Sequence, residues 1–165
     1  MSDIRSAYGS VASQTITNAN IASSATAGWK GAAIDFDTTK VLDALVQIKL
    51  AAVNTAPANS KAIFLYIASL IDTGGTDYTS TGDGTIDGSE GTVTFPDITT
   101  LAIPLPLLGV VPYPVQNKAL VSRAFSIRNV FGFLPQKVAP AMINHSGMTL
   151  SVSWLKVIPV YKTVA

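Results

Sequence analysis

"VLDALVQIKLAAV", residues 41–53, decides the fold. Leu42, Ala44, Val46, Ile48, Leu50 and Ala52 share one parity, and all are apolar. Asp43, Gln47 and Lys49 fall on the other parity, mixed with Val41, Leu45, Ala51 and Val53. Side chains alternate between the two faces of a strand, so this pattern predicts a strand with one fully buried face. Helical spacing through Leu42, Leu45, Val46 and Lys49 is the competing pattern, and the alternation favours the strand. The next run, "KAIFLYIASLI" at 61–71, is apolar on both parities, with Phe64 and Tyr66 on one and Ile63, Leu65 and Ile67 on the other. A strand buried on both faces is either central in a covered sheet or half of an interface. The link "NTAPANS", 54–60, has hairpin composition, so the two strands are expected to pair antiparallel.

Outward from this pair, an early strand is expected within "SQTITNANIA" (13–22), and further strands at 101–110, 118–130 and 137–145. In the last run, "MTLSVSWLKVIPVYKTV" (148–164), Leu150, Val152, Trp154, Ile158, Val160 and Val164 share a parity, which assigns Trp154 to the core. Pro135, Pro140 and Pro159 suit edge strands or bulges, and Gly132 and Gly147 mark turns. Many short strands and no convincing helix predict one all-β domain over 1–165, a β-sandwich of jelly-roll or Greek-key type. Residues 1–12 form an extended N-terminal arm that orders against something else. Residues 72–100 form a long loop. Its first part, "DTGGTDYTSTGDGTIDGSEGT", carries six glycines and five acidic residues.

Composition narrows the function. Eleven basic and ten acidic residues leave no electrostatic case for nucleic acid or an anionic membrane. The absence of cysteine removes disulfides, thiolate nucleophiles and Cys-based metal sites. The N-terminus is polar and carries no apolar signal segment. The most apolar window, "LAIPLPLLGVVPYPV" at 101–115, is short and holds Pro104, Pro106, Pro112 and Pro114, which excludes a membrane helix. Only 13% of residues are charged, against about 25% in ordinary soluble domains. A Thr/Ser/Asn-rich exterior explains this in part. A surface that meets other subunits explains it further.

Four motifs invite chemistry. Asp72-Thr73-Gly74 spells the turn of an aspartic peptidase, which needs two carboxylates sharing a proton, and "LLG" at 107–109 imitates its second element. The glycine-rich sequel favours a turn, so no catalytic residue is assigned and no enzyme is expected. Asp83, Asp87 and Glu90 in "DGTIDGSEGTVT" offer oxygen ligands. Thr85 and Thr94 stand where a calcium loop of the EF-hand type needs acid, so a solvated loop is expected with no metal or cofactor. His145, the one histidine, reads as a turn residue. Trp29, Tyr78, Tyr113 and Trp154 could stack on sugars, with Trp29 expected to be the more exposed tryptophan.

The pieces "SDIRSAYGS", "SQTIT", "LDALVQIKL", "GTDYT", "FGFLPQK" and "VYKTVA" together resemble small accessory virion proteins of tailed bacteriophages, of the head-decoration or cement kind. The resemblance spans most of the chain in scattered pieces, and the apolar run at 101–111 departs from it. It implies a β-sandwich made in the host cytoplasm and docked in many copies on the capsid surface. The partners implied are other copies of the chain, for example as a trimer, and the major capsid protein or another virion protein. The residues expected to carry contact are Ile4, Arg5 and Tyr8 of the arm, and Leu105, Leu107, Leu108 and Val110 of the apolar run. The alternatives are a carbohydrate- or receptor-binding module on a tail or fibre and, more remotely, an aspartic-type peptidase.

Overall fold

The alternating run becomes β6 (Val41–Leu50), and the last run becomes β14 (Leu150–Val164), paired antiparallel with it. The computed structural model describes residues 4–14, 20–36, 40–51, 62–72, 78–80, 86–95, 105–112 and 118–164, with 4, 5, 71, 72, 78–80, 163 and 164 described by their backbone. The free edge of β6 receives β11 (Leu120–Val121) and β12 (Phe125–Ser126). The free edge of β14 receives β1 (Ile4–Tyr8), β2 (Ala12–Gln14) and β3 (Asn20–Ile21) in turn. Residues 4–12 of the segment expected as an arm thus belong to an interrupted edge strand of the chain's own sheet. Its backbone finds partners along β14, and no outside surface is needed to order it.

The doubly apolar run becomes β7 (Ala62–Asp72), and it lies in a second antiparallel sheet. The order there is β10 (Leu107–Pro112), β7, β13 (Lys137–His145), β4 (Ala27–Lys30) and β9 (Gly91–Thr94). β5 (Ile34–Asp35) extends along β13, and β8 (Tyr78–Ser80) folds back on the end of β7. The expected hairpin between 41–53 and 61–71 is therefore not formed, because β6 and β7 lie in different sheets. Periodicity had shown which faces were apolar and could not show which strand lay beside which. Two antiparallel sheets packed face to face make the chain an all-β sandwich.

Two apolar layers hold it. Between the sheets, Ala44, Val46, Ile48 and Leu50 of β6 and Leu150, Val152, Leu155 and Val157 of β14 meet Ile63, Leu65 and Ile67 of β7 and Val138 and Met142 of β13. On the far side of the second sheet, Tyr66, Ala68, Leu70, Ala139, Ala141 and Ile143 form another buried layer with Ile86, Val93, Phe95 and Leu105. The stretch expected as an open loop thus contributes two short strands, β8 and β9, and apolar anchors that cover a sheet face. Ile86 is fully buried, and the Phe95 ring sits 6.3 Å from that of Tyr66.

Pro140 and Pro159, expected on edge strands or at bulges, lie in the central strands β13 and β14, and both sit at interruptions of the neighbouring ladder. The Pro159 carbonyl of β14 accepts from Gly9 N at 2.8 Å, in the gap between β1 and β2. The Pro140 carbonyl of β13 accepts from Gly31 N at 2.8 Å, in the gap between β4 and β5. A residue in an antiparallel strand aims its C=O and N–H at the same neighbour, so each missing proline N–H falls where the ladder is already broken. Glycine faces each proline because a Cβ at Gly31 would lie 2.7 Å from the Trp29 ring and 2.8 Å from Pro140 Cγ.

One α-helix of five residues, α1 (Ile127–Phe131), lies where a strand was expected. Ser126 caps it, accepting from Asn129 N at 3.0 Å, and Gly132 ends it in the left-handed region at φ 78°. A single turn is too short to show helical periodicity.

Phe95→Ala is expected to lower unfolding free energy by about 3–5 kcal/mol, measured by denaturant titration, because it empties the outer layer. Gly31→Ala is expected to cost about 1–3 kcal/mol by overpacking against Trp29 and Pro140. If both variants matched the parent midpoint, this packing scheme would be wrong.

Candidate functional site

Chemistry needs polar groups that are not spent on structure. The Asp43 carboxylate of β6 accepts from Ala44 N at 2.7 Å, Arg128 N at 2.9 Å and Ser126 Oγ at 2.6 Å. It ties α1 to the first sheet. Asn144 is fully buried at the end of β13. Its Nδ2 donates to the carbonyls of Ile21 and Met148 at 2.7 Å each, and its Oδ1 accepts from Ser146 N and Ser146 Oγ. All four positions of the amide are filled. His145 lies between Asn144 and Ser146 as the last residue of β13, half-buried. The buried Ser146 hydroxyl beside it is held by Asn144, so this Ser–His pair has no exposed nucleophile.

The acidic segment is pinned to β4. Lys30 Nζ donates to Asp87 Oδ1 at 2.6 Å, and Trp29 Nε1 donates to Glu90 Oε1 at 3.1 Å. Asp87 Oδ1 also accepts from Ser89 N and Ser89 Oγ. Burial by itself would raise the Asp87 pKa. The hydrogen bonds from Lys30 and Ser89, with the charge of Lys30, outweigh it and hold the carboxyl well below the usual carboxylate range. Two of the three candidate metal ligands are therefore engaged, one by a cation and one by an indole. Asp83 lies outside the described residues. Among the described residues no group of three or more His, Cys, Asp or Glu side chains is placed to hold a metal ion.

Both tryptophan expectations are corrected. Trp29 is 1% exposed, because Glu90, distant in sequence, satisfies its N–H and lets the ring enter the core. Trp154 is half-buried on the outer face of the first sheet. The register slips between Val152 and Trp154, so Ser153 is an extra residue that reverses the parity. Lys156 Nζ lies 4.6 Å over the Trp154 ring. Tyr113 is outside the described residues, and Tyr78 is described by its backbone.

Asp72 and "LLG" are not brought together. β10 pairs with Ala62–Tyr66, whereas Asp72 closes the opposite end of β7 against Tyr78. The six residue steps along β7 from Tyr66 to Asp72 span roughly 20 Å.

The sandwich is open on the side where β10 faces β11, β12 and α1. The Phe125 ring bridges the two sheets there, lying where a Cβ on Gly109 would be, and the guanidinium of Arg123 sits 5.1 Å from the ring centre. On one side of this bridge is a groove of about 630 Å³ lined by Pro106, Leu107, Arg123, Asn129 and Val130 among others. On the other side is one of about 360 Å³ between Val110–Pro112 and Leu120–Arg123. Among the described residues Arg123 is the one charged residue lining either groove, and none lining them is a carboxylate or imidazole. Leu107, Val110 and Val121 stand exposed at the rims, at 47%, 42% and 47%.

The residues expected to make contact divide accordingly. Leu105 is buried in the outer layer and Leu108 in the inner one, so the apolar run offers Leu107 and Val110 to a neighbour. Tyr8 is 73% exposed on the opposite edge. Ile4 and Arg5 are placed by backbone pairing with Val164 and Thr163. The contribution of Val121 and Phe125 was not foreseen. The signal for it was "LVSRAFS", where apolar residues flank Arg123 just before a helix cap.

No family model matches the chain, and no curated protein or solved structure matches it closely enough to count as similar. Among the described residues no helix is long and apolar enough to cross a membrane.

Because the Asp87 pKa is depressed, its contribution to holding 86–90 on β4 is full above the ordinary carboxylate value of about 3.9. It is lost as pH falls through the lower folded value. In a Trp154→Phe background, Trp29 fluorescence is expected to change on acidification below that ordinary value, and Lys30→Met to move the change to higher pH. An identical acid profile in both proteins would count against the pinning.

Proposed function

We propose that this chain is a structural subunit of the virion-accessory kind, a decoration or cement protein that associates with copies of itself and docks on a capsid surface. The observation that carries the reading is the open side of the sandwich. There, Leu107, Val110 and Val121 are exposed around two grooves whose lining, among the described residues, holds one charged residue. Low charge and a net charge of +1 leave little repulsion between copies. The polar clusters support it too. The Asp43, Asn144 and Asp87 groups are committed to backbone, caps and neighbouring side chains rather than aimed into a cleft. The sequence pieces that resemble phage accessory proteins supply the capsid as the surface.

In this reading the mechanism is burial. An interface of about 1,600 Å² suffices for specific association, and arrayed copies gain further by avidity. A second reading, a carbohydrate-binding face, is favoured by Trp154, half-exposed beside Lys156 on a sheet face.

Purified protein is expected to bind particles stripped of their accessory proteins and to raise their resistance to heat, read by sedimentation and by genome release. Leu107→Lys is expected to weaken that binding at least tenfold. Glycan-dependent binding abolished by Trp154→Ala, with no particle binding, would replace this reading by the second.

A further inference from the structure

The edge of β10 differs from the other strand edges among the described residues. The β1–β2–β3 edge is interrupted, with its register to β14 slipping between segments. β11 and β12 have two residues each, and β9 has four. Short, broken edges are how sandwiches avoid pairing with other chains. β10 has six residues, "LLGVVP", with no charge, and its described ladder runs to β7 on one side. The bulge that turns Leu108 into the core lies at its beginning, so Gly109–Pro112 continue in regular register. From Gly109 to Val111 this edge presents backbone N–H and C=O groups that another extended backbone can satisfy in a row, and Pro112, which has no N–H, ends the row.

We infer that the β10 edge pairs antiparallel with β10 of a second copy, joining the two five-strand paths into one continuous sheet across a two-fold axis. This rests on the assembly reading above and names the contact. The occupant is a second copy because the strand carries no charge to oppose its own image and the contact is self-complementary. Leu107 and Val110 of each copy lie on the same face as Tyr66 and Phe64, their partners on β7, so pairing two edges makes one apolar row. On the opposite face, Val111 borders the groove between β10 and β11. There, Val121 and the stem of Arg123 close over the partner strand.

Sedimentation equilibrium on the full chain tests this. The expected mass is twice 17.2 kDa for the parent. Val110→Lys and Leu107→Lys are expected to be monomers with unchanged circular dichroism, because each places like charges against each other across the axis. Val11→Lys, on the opposite edge and 51% exposed in the parent, is expected to stay dimeric. A dimer that survives both β10 variants but breaks with Val11→Lys overturns the inference and leaves self-association standing. A parent that is monomeric, or trimeric, overturns it too. If that monomer still binds stripped particles, the capsid-docking half of the reading holds without self-association, and if it binds none, both fall.

Discussion

The second sheet has two apolar faces, and a sheet in water cannot leave either one bare. β7 carries Ile63, Leu65 and Ile67 on one side and Tyr66, Ala68 and Leu70 on the other. β13 matches it with Val138 and Met142 against Ala139, Ala141 and Ile143. The first sheet covers one side. The other is covered by Ile86 and Phe95, which belong to or border the glycine-rich acidic stretch, and by Leu105 of the apolar run. Much of the rest follows from that covering. The stretch has to be held down, and Lys30–Asp87 and Trp29–Glu90 hold it. With both faces covered over β7 and β13, what the sheet has left to offer lies at its margins.

The polar groups follow the same logic. Asp43, Asn144, Ser122 and Asp87 all occupy places where the β ladder starts, stops or bulges. Ser122 accepts from Ile48 N and donates to the Arg123 carbonyl, where β6 loses its partner between β11 and β12. The Gly9–Pro159 and Gly31–Pro140 pairs do the corresponding work without side-chain polar atoms. They put a residue with no N–H opposite a break in the neighbouring strand. A chain with few charges relies on such fits to terminate its strands.

The sequence made legible what periodicity can carry. β6, β7, β13 and β14 stand close to where alternation put them, and the two-sidedness of β7 was visible in its letters. What it missed has physical causes. Strand partners are set by packing, so β6 and β7 looked like a hairpin and are not one. A single bulge at Ser153 sent Trp154 outward. The burial of Trp29 depends on Glu90, a contact between residues remote in sequence. Ile86, Val93 and Phe95 are isolated apolar letters in a polar stretch, too sparse to register as an element, yet each is a buried anchor. At the candidate interface, Leu107 and Val110 were legible as apolar. Their exposure, and the burial of Leu105 and Leu108 beside them, depended on a bulge that only the register reveals.

The central claim is that the chain seals both faces of its second sheet by itself and associates through an edge. Amide hydrogen exchange measured across a wide range of protein concentration tests it most directly. The account predicts that β7 and β13 amides exchange only through global unfolding at every concentration, while β10 amides gain protection as concentration rises. Rapid exchange in β13 at low concentration, slowing only when copies associate, would contradict it. That result would mean that the outer face is an interface and that Ile86, Phe95 and Leu105 do not cover it.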